Sequence, residues 1–128
     1  MSAMTDLKHW ARLNVEGPYP LRRGAWYRVT EFHAQQVVLD VLWEPVSIPV
    51  SEVDIVDERP VKWTTVPRPR DAIKLPESWG NEYGVCPNCG NRASLASAPR
   101  DLRCTQCEGY FPVNWEENYL GRIQPMMS

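Results

Sequence analysis

Four cysteines form two Cys-x-x-Cys pairs, and their spacing constrains the fold more than any other feature of the chain. They are Cys86, Cys89, Cys104 and Cys107, and the sequence contains no others. Two such pairs supply the four thiolates of a tetrahedral metal site. Since a site with four sulfur ligands leaves no coordination position for water or substrate, we expect the metal to hold structure and not to catalyse.

A glycine follows each cysteine pair closely. Gly90 comes directly after the first pair, and Gly109 comes two residues after the second pair. Glycine adopts positive φ without steric cost, so it suits a chain that must turn sharply. We therefore expect these glycines to fold the backbone back over the metal.

Two cysteine pairs can also form disulfides, a redox site or an iron site, and each of these has its own sequence pattern. Two disulfides suit an exported protein, but residues 1–6 do not have the charged and then apolar pattern of a signal sequence. A thioredoxin-like redox pair normally occurs once and near a βαβ pattern, which this sequence lacks. An iron site of the rubredoxin kind uses the same four thiolates. We predict one structural Zn²⁺ in a cytoplasmic protein, with iron as the alternative metal.

The remaining composition predicts a mainly β protein. Twelve prolines in 128 residues favour short strands, turns and a stiff connector over long helices. One short helix is expected to begin at Thr5 or Asp6, either of which can cap it, and to run through Leu13. No apolar run approaches the ~20 residues needed to cross a bilayer, so we expect no membrane partner.

Strand patterns fill most of residues 19–66. The strongest strand has an apolar face made of Val37, Leu39, Val41 and Trp43. We expect a turn at residues 44–45 and then an alternating strand that contains Pro49. Because proline lacks a ladder donor, either that strand is predicted to lie at a sheet edge or its amide side at Pro49 is predicted to face outward. A last strand is expected at residues 61–66.

Several short strands in one small region bury their apolar faces best by closing into a barrel. Their order resembles that of the SH3-like barrels, including the KOW and Tudor groups, over residues 23–29, 37–41 and 48–56. The resemblance implies a small SH3-like barrel at residues 19–66, preceded by a lead-in at residues 1–18.

The cysteine-containing segment resembles a zinc ribbon over residues 85–95 and 102–113. In zinc ribbons, the turn that holds the first cysteine pair, called the first knuckle, leads into a strand. The turn that holds the second pair, called the second knuckle, ends in an aromatic strand. The resemblance implies that the four cysteines all bind one Zn²⁺. A module of about 30 residues buries too little apolar surface to fold alone, so the metal must stabilise it. Its expected core is Leu95, Leu102, Tyr110, Phe111 and Val113, with Trp115 as a possible extension.

These assignments give the expected domain organisation. A proline-rich linker at residues 67–84 joins the barrel to the zinc ribbon at residues 85–115, and a tail at residues 116–128 follows. Alternating prolines at the start of the linker favour extended backbone, so we expect a semi-rigid spacer.

No group of residues indicates an enzyme. The sequence shows no Ser-His-Asp set, no phosphate-binding glycine loop and no carboxylate pair at a catalytic spacing. The two histidines, His9 and His33, lack a local partner. We therefore expect no catalytic residues and no small-molecule substrate, and predict that the protein works by recognition.

Candidate contact residues lie in both modules. The net charge of −2 does not itself favour nucleic acid, but residues 86–107 hold three arginines against one aspartate. Those arginines could contact phosphates or an acidic protein surface. Aromatic residues of the barrel could add stacking or cation–π contacts, although barrel core is the simpler expectation for them. The candidates are Arg92, Arg100, Arg103, Trp26, Arg28 and Trp43.

Two classes of function fit these surfaces. Zinc ribbons and SH3-like barrels both resemble modules of transcription and translation factors, which favours an accessory factor of nucleic-acid machinery. A protein–protein adaptor, or a structural subunit of a larger assembly, is the alternative, because the chain has near-zero net charge and six tryptophans. One-electron transfer by an iron-loaded site is a third possibility.

Overall fold

The computed structural model describes residues 8–15, 19–68, 75–117 and 119. Over these residues the protein is mainly β, as predicted, with short strands and two 3₁₀ turns. The chain divides into two compact units, Met1–Pro60 and Val61–Ser128. Within the described ranges, no helix has the length and apolar character that a membrane span requires.

The first unit contains one five-stranded antiparallel sheet. Its strands are β1 (Trp10–Leu13), β2 (Tyr27–His33), β3 (Gln36–Val41), β4 (Glu44–Pro49) and β5 (Val53–Val56), and a 3₁₀ turn at Val50–Glu52 joins the last two. Their order across the sheet is β4-β3-β2-β1-β5. Pro49 therefore lies in an edge strand, as predicted, where its missing N–H leaves no neighbour unpaired.

Strand β3 provides the centre of the first core. Val37 lies opposite Ile48 and Leu39 lies opposite Val46, so the apolar faces of β3 and β4 coincide. The predicted apolar face is confirmed for Val37, Leu39 and Val41, which are all buried. A shift of one residue in register would turn these side chains to solvent. The buried cluster consists of Ala11, Leu13, Leu21, Val37, Leu39, Val41, Ile48 and Val53.

The turn after β3 differs from the prediction. The strand ends at Val41, the turn is Leu42–Trp43, and residues 44–45 begin β4. Trp43 is consequently not a core residue and is 92% exposed. A two-residue hairpin prefers a turn with positive φ at both positions, and the proline ring forbids positive φ at Pro45. The turn therefore falls on Leu42 and Trp43, whose φ angles are 53° and 72°.

The helix predicted through Leu13 is wrong for the part that the structure describes. Residues 10–13 form β1, which pairs with both β2 and β5 and is buried along its whole length. A strand buried on both faces shows no alternation, so periodicity cannot distinguish it from a short helix. Arg12 further hides the pattern, since it is buried in an ion pair with Asp54 at 3.3 Å. The predicted N-cap positions, Thr5 and Asp6, lie outside the described residues.

The second unit contains two small antiparallel sheets. One has the order β6-β7-β8, built from Thr64–Pro67, Glu82–Val85 and Arg92–Ser94. The other pairs β9 (Asp101–Arg103) with β10 (Tyr110–Pro112). A 3₁₀ turn at Glu77–Trp79 precedes β7.

Two segments lie in different elements from those expected. The strand near residues 61–66 pairs with β7 in the second unit, whereas the sequence pattern predicts it in the barrel. Part of the expected linker at residues 67–84 is also structured, since it contains a 3₁₀ turn and most of β7. The linker residues 69–74 and the tail apart from residues 116, 117 and 119 lie outside the described residues.

Candidate metal centre

The first cysteine pair lies in a tight turn between β7 and β8. The amide of Gly90 donates to the carbonyl of Cys86 at 3.0 Å, and the amide of Cys86 donates to the carbonyl of Asn91 at 2.8 Å. The amide of Asn88 points at the Cys86 sulfur, 3.4 Å away. Gly90 has a φ of 78°, which permits the sharp return of the chain. This turn is the first knuckle, residues 86–91.

The second cysteine pair repeats this geometry. The amide of Glu108 donates to the carbonyl of Cys104, and the amide of Cys104 donates to the carbonyl of Gly109, both at 2.8 Å. The amide of Gln106 lies 3.3 Å from the Cys104 sulfur. This turn, residues 104–109, is the second knuckle. The shared hydrogen-bond pattern makes the two cysteine pairs equivalent parts of one site.

The two knuckles bring all four cysteines together. Their sulfur atoms lie within 4.8 Å of one another. The Cys86 and Cys107 sulfurs are 3.8 Å apart, and those of Cys89 and Cys104 are 3.5 Å apart. A disulfide bond is about 2.05 Å long, so these are four free thiols. Sulfurs bound at about 2.3 Å to one tetrahedral ion lie about 3.8 Å apart, and the four cysteines could therefore hold a metal ion.

Thiol pKa values at the site respond to burial and to local donors. Burial raises the pKa of Cys86, against the opposing effect of amide donors from its own knuckle. A hydrogen bond from the Asn88 side chain lowers the pKa of the less buried Cys107 to about 7. A bound cation favours the thiolate at every position, since the positive charge offsets the cost of burying negative sulfur.

The glycine prediction is correct for one knuckle and wrong for the other. Positive φ in the second knuckle occurs at Glu108, with a φ of 65°, and not at Gly109. Gly109 is required for a different reason. A Cβ built there would lie 2.5 Å from Cε2 of Phe111, so the aromatic ring occupies the space of a side chain.

A tryptophan from well before the first knuckle lies in the core beside the site. Trp63 is fully buried, and its core cluster contains Cys86, Cys104, Leu95 and Val113. Its indole nitrogen donates to the carbonyl of Leu102 at 2.9 Å, just before the second knuckle. Its backbone also forms hydrogen bonds with Pro112, the last residue of β10, and with Asn114 just beyond that strand. The core of the metal-binding module therefore includes a segment outside residues 85–115.

The sequence prediction missed Trp63, although the sequence contains a signal for it. The polar run Asp57-Glu58-Arg59-Pro60 is a typical break between elements. A boundary placed there would have assigned Trp63 to the second unit. The expected core was otherwise wrong only for Tyr110, which is 61% exposed. Trp115, the expected extension of this core, packs against the cluster.

The three candidate arginines of the second unit occupy different positions around the site. Arg92 is half-buried in β8, and Arg100 is exposed just before β9. Arg103 is exposed at the end of β9, where its guanidinium lies over the Tyr110 ring, 5.6 Å from the ring centre. The guanidinium of Arg103 thus covers one face of the Tyr110 ring.

The candidate residues of the first unit occupy different elements: Arg28 lies in β2, Trp26 just before that strand and Trp43 in a turn. Trp26 lies under the guanidinium of buried Arg12, 4.5 Å from the ring centre. Arg28 is exposed in β2, opposite Trp10 of β1. Trp43 lies in the turn between β3 and β4. Each of these contact assignments stays a prediction.

No protein-family model, curated protein or solved structure matches the chain.

Proposed function

We propose that this chain is a non-enzymatic, zinc-binding recognition protein that serves as an accessory factor of nucleic-acid machinery. The observation that carries the zinc assignment is the convergence of four cysteine sulfurs within 4.8 Å from two knuckles of matching geometry. Four thiolates close the coordination shell of Zn²⁺, so the ion stabilises the second unit and takes no part in a reaction. Iron binds the same ligands but colours the protein red, which distinguishes the two metals.

The fold of each unit also supports the proposal that the protein acts by recognition. Two cysteine knuckles, each followed by a short strand, are what the zinc-ribbon interpretation requires. The order β4-β3-β2-β1-β5, with a 3₁₀ turn before the last strand, supports the SH3-like interpretation of the first unit. Zinc ribbons and SH3-like barrels act by binding other molecules at their surfaces.

The distribution of charged side chains favours the second unit as the part that contacts nucleic acid. Residues 61–128 carry eight basic and seven acidic side chains, whereas residues 1–60 carry six basic and nine acidic ones. Phosphate recognition needs local positive charge, and the second unit has it at Arg92, Arg100 and Arg103. Tyr110 is exposed, and a base would stack on the ring face opposite the one that Arg103 covers.

The test is fluorescence anisotropy with labelled single-stranded RNA and DNA at several salt concentrations. Replacement of Arg92, Arg100 and Arg103 by glutamine should weaken binding and reduce the slope of log K against log salt by about 0.7 per lost phosphate contact. Tyr110→Ala should weaken binding and leave that slope unchanged, because stacking releases no counterions.

A matched control removes the same charge elsewhere. Lys8, Arg22 and Lys62 are exposed, and their replacement by glutamine should change binding much less. Equal binding by the wild type and the arginine triple variant would rule out the nucleic-acid role and leave the metal site untouched.

A further inference from the structure

The turn between β3 and β4 exposes two large apolar side chains. Leu42 is 88% exposed and Trp43 is 92% exposed, and we call this pair the hairpin tip. A single exposed apolar residue is ordinary on a protein surface. Two adjacent ones at the end of a hairpin, one of them tryptophan, form a compact anchor of the kind that dominates protein interfaces.

The backbone of the hairpin tip disfavours the residues that occupy it. Both have positive φ, at 53° and 72°, in a two-residue turn where asparagine and glycine are preferred. Leucine and tryptophan carry a free-energy cost in this conformation, because their Cβ atoms crowd the backbone. The Asp40 side chain offsets part of it by accepting a hydrogen bond from the Trp43 amide at 3.0 Å. Selection for stable folding alone would therefore not place leucine and tryptophan in this turn.

The charges beside the hairpin tip indicate which kind of partner it meets. Glu44 follows it directly in β4, and Asp40 lies two residues before it in β3. The unit as a whole carries nine acidic against six basic side chains. Negative charge here repels the phosphates of nucleic acid and of anionic lipid, and it attracts a basic protein surface.

We infer that the hairpin tip is a docking anchor for a second protein, whose apolar pocket receives Trp43 and Leu42 and whose rim is basic. Asp40 and Glu44 pair with that rim and set the orientation of the complex. This interaction lies on the first unit and is independent of the metal site and of the nucleic-acid contact proposed for the second unit.

The decisive variant combines Leu42→Asn with Trp43→Gly. Asparagine followed by glycine is the preferred pair for this turn, so the hairpin is retained while both apolar side chains are removed. The thermal unfolding temperature of the first unit should stay the same or rise. Any loss of binding then comes from the missing anchor and not from unfolding.

Binding is measured with the protein that nuclease-treated extracts of the native cells yield on the full chain as bait. That protein is purified and titrated by calorimetry against each variant. The tip variant should raise Kd by about 30-fold or more, which is the effect of losing a hot-spot tryptophan. Val61→Thr, which changes another exposed apolar residue, should leave Kd unchanged.

A charge variant separates the possible partners. Asp40→Asn with Glu44→Gln keeps an oxygen for the Trp43 amide and removes both charges. It should weaken binding of the purified partner most at low salt, since screening already reduces such attractions at high salt. Labelled single-stranded RNA and vesicles containing phosphatidylserine serve as anionic probes, and sedimentation tests for a second copy of the chain.

Several results would overturn this inference. One is equal affinity of the purified partner for the wild type and the tip variant, and another is the recovery of no protein by the wild-type chain. Binding of RNA or vesicles that requires the hairpin tip would assign it to a different partner. Self-association lost in the tip variant would assign it to a second copy.

Discussion

Gly90 and Glu108 occupy equivalent positions in the two cysteine knuckles, and both have positive φ, at 78° and 65°. Each donates its amide to the carbonyl of the first cysteine of its pair. Glycine adopts this conformation freely, whereas glutamate pays a steric cost of about 1 kcal/mol. The second knuckle is therefore the more strained of the two.

Replacement of that glutamate by glycine should stabilise the second unit. Glu108→Gly is expected to raise its free energy of unfolding by about 1 kcal/mol, measured by denaturant titration of the metal-loaded protein. Glu108→Ala removes the same side chain but keeps the strain, so it should give no such gain. Gly90→Ala should be destabilising by a similar amount, and a neutral result there would contradict the equivalence of the knuckles.

The Trp63 hydrogen bond should contribute measurably to the second unit. Trp63→Phe keeps most of the apolar volume but leaves the Leu102 carbonyl without its indole donor. We expect a loss of about 1 kcal/mol in the free energy of unfolding, larger than that of Trp43→Phe at an exposed position. Equal losses in the free energy of unfolding for Trp63→Phe and Trp43→Phe would show that the Trp63 hydrogen bond does not stabilise the region before the second knuckle.

Contact between Gly109 and Phe111 gives a test of packing. Gly109→Ala forces a methyl group against the ring and should cost about 1–3 kcal/mol. The double variant with Gly109→Ala and Phe111→Leu should recover part of that loss, because the smaller side chain makes room for the methyl group. Phe111→Leu by itself should be destabilising. Strict additivity of the two substitutions in a double-mutant cycle would contradict the close approach.

Tyr19 provides a pH-dependent test in the first unit. Its hydroxyl donates a hydrogen bond to the Glu52 carboxylate, and this bond raises the pKa of Tyr19 above 10.0. Because the folded-state pKa exceeds the unfolded value, the stabilisation is complete below about pH 10 and is lost as the pH rises through the folded pKa. Wild-type and Tyr19→Phe proteins should differ in stability at pH 8 and converge at high pH. A difference that grows at high pH would contradict the hydrogen bond.

The sequence was most informative where its constraints are local. A Cys-x-x-Cys pair fixes its own turn, so the four sulfurs could be grouped from spacing alone. The placement of Trp63 depends on pairing between β6 and β7, which are separated by the segment expected to be a linker. Such distant pairing is set by packing across the whole unit, and local patterns do not specify it.

The turn at Leu42 and Trp43 shows a second limit of sequence patterns. Alternation predicts that Trp43 continues the apolar face of β3, but it takes no account of the proline ring of Pro45, which cannot adopt positive φ in a two-residue turn. Register with β4 and the fixed φ of proline together move the turn two residues earlier. Residues that contradict a local preference in this way are good candidates for function.

Metal content tests the central claim most directly. Elemental analysis of the chain, purified without chelators from native cells, should find one zinc per chain, and a variant with Cys86→Ser and Cys104→Ser should contain none. Chelation or acid should release the ion and unfold the second unit, because protons compete for the thiolates. Metal-free native protein that keeps Trp63 buried and the second unit folded would contradict the account.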